Sequence, residues 1–394
     1  MKVVQINAVC NASTGKIAVA ISKLLASKNI ENYILYASGK SDYTYAIKYA
    51  NIFNIKLSAL QAKLTGNYGF YSKAITRRLI QKIKEIQPDV IHLHNLHGHN
   101  IHLAMFFQYL KSIDVKIIWT FHDCWSFTGY CTHFDYVKCD KWKTCCQNCV
   151  QRKKFSWLFD RSKSLFLKKK NLFCGFRDLT IVTPSQWLAD LVKQSFFAQY
   201  PVQVIHNGID VTLFQPSKSD FREKYGLKDK KIILSVAMGM NERKGYSYYL
   251  KLVSMLPEDM KIVLVGVSKK QKRVLPANII GIEKTANQAE LAEIYSAADV
   301  FVNCTLEDNF PTVNLEALAC GTPVITFRTG GSIECVDKNT GVVVEQGELA
   351  GVVKAIQFLL HKENVGVACR ERAKHFFSDK DCFEKYIDLY RVTR

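Results

Sequence analysis

The sequence predicts an α/β protein of two domains, each a mostly parallel sheet with helices on both faces. Three observations carry this prediction. The chain has 394 residues, more than a single hydrophobic core usually serves. Hydrophobic residues make up 48% and charged residues 23%, the balance of a globular protein and not of a disordered one. Short β-branched runs bounded by Gly, Pro and Asn alternate with amphipathic stretches, as in parallel sheets buried on both sides.

Taken in order, the strand-like runs are Val3 to Asn7, Tyr33 to Ala37, Val90 to His94, Val115 to Thr120 and Thr180 to Val182. A second series follows at Lys231 to Val236, Lys261 to Gly266, Val300 to Thr305 and Val324 to Phe327. Between the series lie Asn207-Gly208-Ile209-Asp210 and a polar stretch, which place a hinge near residues 198–215. The expected organisation is an N-terminal domain at 1–200, a C-terminal domain at 201–377, and a closing helix at 378–394 that crosses back to the first domain. Helical patterning is expected at Leu349 to His361, Asn364 to Phe377 and Asp381 to Arg391. Open parallel sheets bind ligands beyond the carboxyl ends of their strands, so the expected site is a cleft between two such sheets.

The net charge of +19 is unevenly placed. Residues 1–200 hold 28 basic and 11 acidic side chains (+17), and residues 201–394 hold 26 and 24 (+2). Such a half docks on polyanions or on an anionic membrane surface. Within it, residues 151–176 interleave Arg152, Lys153, Lys154, Arg161, Lys163, Lys168, Lys169 and Lys170 with Phe155, Trp157, Phe159, Leu165, Phe166, Leu167 and Phe173. That is the composition of an interfacial helix on anionic lipid, or of an ordinary helix packing its apolar face on a sheet. No helix-turn-helix, RNP or basic-zipper pattern accompanies the charge, so no nucleic-acid partner is expected. Met1 to Asn7 turns polar too early for a signal peptide, and no run of about 18 apolar residues occurs. The expected location is the cytoplasm, peripheral on the cytosolic face of a membrane.

The 13 cysteines are odd in number and scattered, unlike a secreted disulfide framework. Cys131, Cys139, Cys146 and Cys149, within a Cys-rich insertion at 124–150, follow C-x7-C-x6-C-x2-C. The spacing suits a structural zinc that pins an irregular insertion, and reduced buried thiols are the alternative. The histidine-rich run His92 to His102 lacks a carboxylate partner and reads as a site border rather than a metal centre.

Two phosphate motifs fail. Ser13-Thr14-Gly15-Lys16 resembles part of a P-loop, but Cys10 stands at the first glycine and Ile17 at the magnesium-binding Ser/Thr, and no G-x-G-x-x-G follows the first strand of either half. The segment Thr305 to Val324 survives as strand, loop and helix, with Pro311 or Thr312 opening the helix and Gly321-Thr322-Pro323 closing it. Free N–H groups and roughly half a positive charge at such a helix start suit a diphosphate. Asp308 and Glu316 flank that start and can accept hydrogen bonds from vicinal hydroxyls; the plainer alternative is a solvated loop and a dipole-complementing glutamate. Arg243-Lys244-Gly245 follows another strand, where cations can neutralise a diphosphate leaving group.

Together with Thr120-Phe121-His122-Asp123, Thr183-Pro184-Ser185 and Ile205 to Asp210, these segments resemble glycosyltransferase family four, retaining enzymes of the GT-B fold that use nucleotide-sugars. The resemblance implies two Rossmann-like domains facing each other across a cleft. It implies that Lys244 holds the donor diphosphate and that Glu316 binds the ribose. Asp308 or Glu307, with Asn309, Phe310, Pro311, Thr312 and Val313, would grip the sugar. Gly15 would let the chain approach the diphosphate, His122 would face the sugar, and Ile282 would lie beside the base. Glutamate is usual in the family where Asp308 stands, and a Gly-Arg pair where Met238-Gly239 stands; Arg243 is the candidate replacement.

In this family retention is explained by departure and attack on one sugar face, the leaving diphosphate oxygen taking the acceptor's proton. No carboxylate nucleophile is then needed, in contrast to the paired-carboxylate glycosidases, and no cofactor beyond the donor is expected for catalysis. The acceptor expected is a lipid-linked or oligosaccharide chain in polysaccharide biosynthesis. The rivals are a GT-B sugar-nucleotide epimerase and a non-catalytic basic nucleic-acid or membrane-binding protein with structural zinc.

Overall fold

All strand pairs in both sheets of the computed structural model, which describes residues 1–11 and 13–391, are parallel. The chain divides into one unit of Met1–His206 with Phe383–Arg394 and a second of Asn207–Cys382. The first unit contains β1 (Lys2–Val9), β2 (Glu31–Ser38), β3 (Ala46–Lys48), β4 (Val90–Leu93), β5 (Lys116–Thr120), β6 (Leu179–Thr183) and β7 (Val202–Val204), ordered β3-β2-β1-β4-β5-β6-β7. The second contains β8 (Lys231–Val236), β9 (Met260–Val265), β10 (Ile279–Ile282), β11 (Val300–Asn303), β12 (Val324–Phe327) and β13 (Gly341–Val344), ordered β10-β9-β8-β11-β12-β13. In both, the order reverses beside the first strand, which is where doubly wound sheets open a crevice at their carboxyl ends.

The divide falls at 206/207 rather than 200/201 because β7 still completes the first sheet. The closing helix spans Asp379–Arg391, beginning in the second unit and ending in the first. Residues 392–394 of the expected closing segment lie outside the described residues. At the helix start, Asp379 N–H donates to Ile209 O at 2.9 Å. Further on, the Tyr390 hydroxyl and His92 Nδ1 share a hydrogen bond at 2.6 Å, and Tyr386 reaches Thr120 at 3.0 Å. These buried polar contacts join the helix's apolar face in holding it to the first unit.

The insertion at 124–150 contains only two short 3-10 turns, Trp125–Phe127 and Lys141–Lys143. Aromatic packing holds it: Trp142 lies between Phe127 and Phe134, at centroid distances of 5.2 and 5.0 Å. From the Ser162–Phe173 helix, buried Lys169 donates to Trp125 O at 2.8 Å and Thr128 O at 3.1 Å and lies 3.7 Å from the Trp125 ring centroid. Lys169 therefore belongs to the core and not to the basic surface that the sequence suggests. Burial pushes its ammonium down to about 7, partly offset by Cys146 and Asp123.

The four cysteines of the expected zinc set lie in one neighbourhood: Cys149, Cys146 and Cys139 all act on the Cys131 thiol and, with burial, push it up. Cys131 Sγ and Cys149 Sγ are 4.0 Å apart, while Cys146 Sγ accepts from Gly129 N–H at 3.2 Å. Among the described residues no group of three or more His, Cys, Asp or Glu side chains is arranged to hold a metal ion. Aromatic rings and one lysine pin this irregular segment.

We expect Lys169→Ala to leave two buried carbonyls short of a donor and to cost about 2–4 kcal/mol. Thermal melts would register this as a lower Tm, and limited proteolysis as new cleavage within 124–150. An unchanged Tm and cleavage pattern would show that the aromatic packing alone suffices.

Candidate functional site

In the second unit the strand reversal lies between β8 and β11, so the loops after these strands meet. The loop after β8 ends in a 3-10 turn, Glu242–Lys244, capped by Asn241 and stopped by Gly245 at φ 81°. A Cβ at Gly245 would stand 2.3 Å from Cys304 O, so only glycine lets the Lys244 turn lie against the end of β11. Leu306 N–H donates to Arg243 O at 2.9 Å, and Arg243 NH1 donates to Glu307 O at 3.2 Å. Lys244 Nζ donates to Asp308 Oδ2 at 2.5 Å. Two segments more than 60 residues apart thus form one cationic corner.

This geometry separates the two candidate carboxylates. Asp308 is half-buried and joined to Lys244, whereas Glu307 is buried and its main-chain oxygen receives Arg243. Asn309 and Phe310 are buried too, and the Phe310 ring packs 5.9 Å from that of Phe377. Phe310 is therefore a core anchor for the loop, which leaves its main chain and not its ring for recognition. Pro311 precedes the Thr312–Ala319 helix, and no side chain caps that helix. Its leading amides, with half-buried Thr312 and Val313 beside them, remain open to an anion.

Glu316 lies one turn further along and accepts from Tyr295 OH at 3.0 Å. Tyr295 is fully buried, and burial together with the Glu316 charge holds its hydroxyl protonated, well above the ordinary phenol range. The tyrosine consequently fixes one carboxylate oxygen. The sequence offers no sign of this pairing, because Tyr295 belongs to a different helix, Gln288–Ala297. Ile282 stands apart: it closes edge strand β10, is buried in the core, and its carbonyl accepts from Gly266 N–H at 2.8 Å.

In the first unit the corresponding reversal lies between β1 and β4. Gly15 lies in the first turn of the Ser13–Ser27 helix, and a Cβ there would stand 2.6 Å from the Cys10 carbonyl carbon. Glycine is needed for this close approach of helix and strand end. Asn7 Nδ2 adds a hydrogen bond to Thr14 Oγ1 at 3.2 Å.

His122 follows β5, its ring stacked with that of His94 at 16° and 5.3 Å, with Nε2 3.0 Å from His94 Nδ1. Burial pushes His122 down to about 4, against the pull of Asp123, so the ring is neutral at pH 7. His94 continues through Gln5 at 3.0 Å. Asp123 pairs with His97 at 2.7 Å and accepts Trp125 N–H at 2.8 Å. Burial opposes charge on both members of this pair, but their mutual attraction prevails, raising His97 and lowering Asp123. The histidine-rich run thus contains a carboxylate partner after all, supplied from the neighbouring strand's loop.

The chemistry of these groups finds parallels in known proteins. Residues 15–213 match the family described as Glycosyltransferase Family 4, and residues 217–376 match Glycosyl transferases group 1. The putative colanic acid biosynthesis glycosyl transferase WcaC of Escherichia coli is 24% identical over 99% of this chain and 100% of its own length. Sulfoquinovosyl transferase SQD2 of Arabidopsis thaliana is 24% identical over 77% of this chain, which spans 57% of that enzyme. Among solved structures, Anabaena HepE in complex with UDP superimposes with a TM-score of 0.71 at 14% identity, over 100% of both chains. Two parallel-sheet units in this order, carrying a lysine and two carboxylates at one strand reversal, and a family match that covers half of the chain by itself make this protein a member of glycosyltransferase family 4, with the GT-B fold.

Proposed function

We propose that the protein is a retaining, nucleotide-sugar-dependent transferase that extends a lipid-linked or oligosaccharide acceptor during polysaccharide synthesis, working at the cytosolic face of a membrane. The observation that carries this reading is the Lys244–Asp308 corner beside the open start of the Thr312–Ala319 helix. A diphosphate placed there meets one lysine, one arginine and a helix dipole, enough positive charge to stabilise it as a leaving group without a metal ion. Asp308 holds Lys244 in place until the donor arrives. Glu316, oriented by Tyr295, accepts hydrogen bonds from the ribose hydroxyls. HepE is described in complex with UDP, with UDP and glucose, and with UDP-glucose, which favours a UDP-sugar as donor.

In the proposed reaction the bond from the anomeric carbon to the diphosphate oxygen breaks as the acceptor oxygen attacks from the same face. The acceptor's proton passes to the departing oxygen, so no protein base is required, and positioning supplies most of the acceleration. Neutral His122 can face the sugar without competing for that proton. Support for a membrane-facing acceptor comes from the charge excess of the first half and from WcaC, whose name connects it with colanic acid. No helix among the described residues is long and apolar enough to cross a membrane.

Calorimetry with UDP, GDP and ADP should show binding of one nucleoside diphosphate. Lys244→Ala should weaken it about 10- to 100-fold, the worth of a charge-assisted contact. Glu316→Gln should weaken it about 10-fold. Absence of binding by the wild type, or binding indifferent to both substitutions, would overturn the assignment.

Tyr295→Phe should leave the fold intact and weaken nucleotide binding by roughly 3- to 10-fold, through loss of one hydrogen bond to a carboxylate. Equal affinity in the variant would remove Tyr295 from the site. Turnover of the matching nucleotide-sugar should persist in EDTA, and proton NMR of the product should show the donor's anomeric configuration kept. An inverted product or complete loss in EDTA would contradict the mechanism.

A further inference from the structure

The Ile52–Thr65 helix has two apolar stripes. Ile55, Ser58 and Ala62 face inward and are buried. On the opposite side, Phe53, Leu57, Leu60 and Leu64, spaced four, three and four residues apart as one helical face requires, are exposed, Phe53 to 69%. A surface helix of a soluble protein normally carries one apolar stripe. Beside this helix runs a second apolar group, Trp157, Leu158 and Phe159, which are 56%, 60% and 51% exposed.

The two groups are joined by hydrogen bonds. Trp157 N–H donates to Lys63 O at 2.7 Å, and Lys63 Nζ donates to Lys154 O. The Tyr130 hydroxyl donates to Gly66 O at 3.0 Å while accepting Arg161 N–H at 2.9 Å. Seven large apolar side chains thus stand on two elements tied into one surface, well beyond the scattered single residues that need no explanation.

The surroundings of this surface are cationic. Residues 52–65 contain Lys56 and Lys63 and no acid, and residues 150–173 contain, besides the buried Lys169, seven Lys and Arg against the single Asp160. The Asp160 carboxylate is already engaged by the backbone N–H groups of Cys149 at 2.7 Å and Ser162 at 2.8 Å. A shallow hollow of about 470 Å³ there is lined in part by Arg161, Lys163 and Lys168. A second copy of the chain would bring like charges together, whereas an anionic bilayer offers hydrocarbon to the stripe and phosphate to the rim.

We infer that this surface, the outer face of the Ile52–Thr65 helix with the 157–159 segment, is a membrane-docking face that inserts its apolar side chains among anionic phospholipids, the hollow receiving headgroup phosphate. The inference rests on the membrane-facing part of the proposed function and names the element responsible. It also reassigns the role: the Ser162–Phe173 helix, which the composition favours, turns Leu165, Phe166 and Phe173 into the core and contributes cations.

The test uses the full chain and vesicles of phosphatidylcholine, alone or with about a third phosphatidylglycerol. Wild type should co-sediment with the anionic vesicles, less so in high salt, and the emission of exposed Trp157 should shift to the blue, a shift absent from Trp157→Phe. A Phe53→Ser/Leu57→Ser/Leu60→Ser variant should keep its melting temperature and nucleotide affinity and lose at least about 10-fold in vesicle partitioning. Lys163→Glu/Lys168→Glu should lose the preference for anionic lipid.

Vesicle binding unchanged in the triple variant, or no binding of wild type to anionic vesicles, would overturn the inference. So would a dimer of the wild type in sedimentation equilibrium that the triple variant dissolves, because a second copy would then be the occupant. Nucleotide affinity is read separately, so a failed donor site and a failed docking face give different results.

Discussion

The reversal of strand order beside β8 is the constraint on which the proposed donor site depends. Neighbouring strands whose connections leave in opposite directions cannot cover their own carboxyl ends, and the loops after β8 and β11 fill the opening. Arg243, Lys244, Glu307 and Asp308 come together there although more than 60 residues separate the two loops. The close approach also dictates small residues: Gly245 touches the β11 end at a distance no side chain tolerates. The charge of this corner is thus placed by topology, and the local motifs only supply its sign.

The first unit solves a different problem with the same topology. Its strand ends carry buried His92 and His94 and half-buried His122, each pushed towards the neutral form chiefly by desolvation. Such groups are stable inside only when their nitrogens find partners. Gln5, Thr120 and Tyr390 supply them, and one of these lies on the chain's last helix. The closing helix is therefore part of the first unit's polar core, and the histidines at these strand ends are positioned by residues from distant parts of the sequence. His97 and Asp123 form the exception, a hydrogen-bonded pair in which each partner favours the other's charged form against burial.

Charge in this protein divides into three kinds of work. Lys244 and Arg243 gather at a strand reversal, where they face a leaving group in the proposed reaction. Lys169 is buried and ties down an irregular insertion by its carbonyls. Most of the remaining excess in the first half stays on the surface, where Lys163, Lys168 and their neighbours surround an apolar stripe. Composition alone assigns the same meaning to all of them, since a cation's burial depends on what packs over it.

The interior strands were legible because each is sandwiched between helices and must be apolar along its length: every strand read from the sequence is an interior one. The four that escaped, β3, β7, β10 and β13, are the four sheet edges. The edge strands β3 and β7 have only three residues each, too few to show a pattern, while β10 and β13 are as long as β11 and β12 but each has its β-branched run interrupted or opened by a glycine. The helix from Thr312 and its two carboxylates were legible for a similar reason, because caps, spacing and helix start are local. By itself the sequence determined the parallel α/β architecture, the cationic turn at Lys244, the Asp308 and Glu316 spacing and the +17 half. Only the tertiary structure decided that Lys244 meets Asp308, that Tyr295 orients Glu316, that Lys169 is buried and pins the insertion, and that the outward stripe lies on the Ile52–Thr65 helix. Each of these is a contact between segments distant in sequence, and periodicity carries no information about which faces of two remote segments will meet.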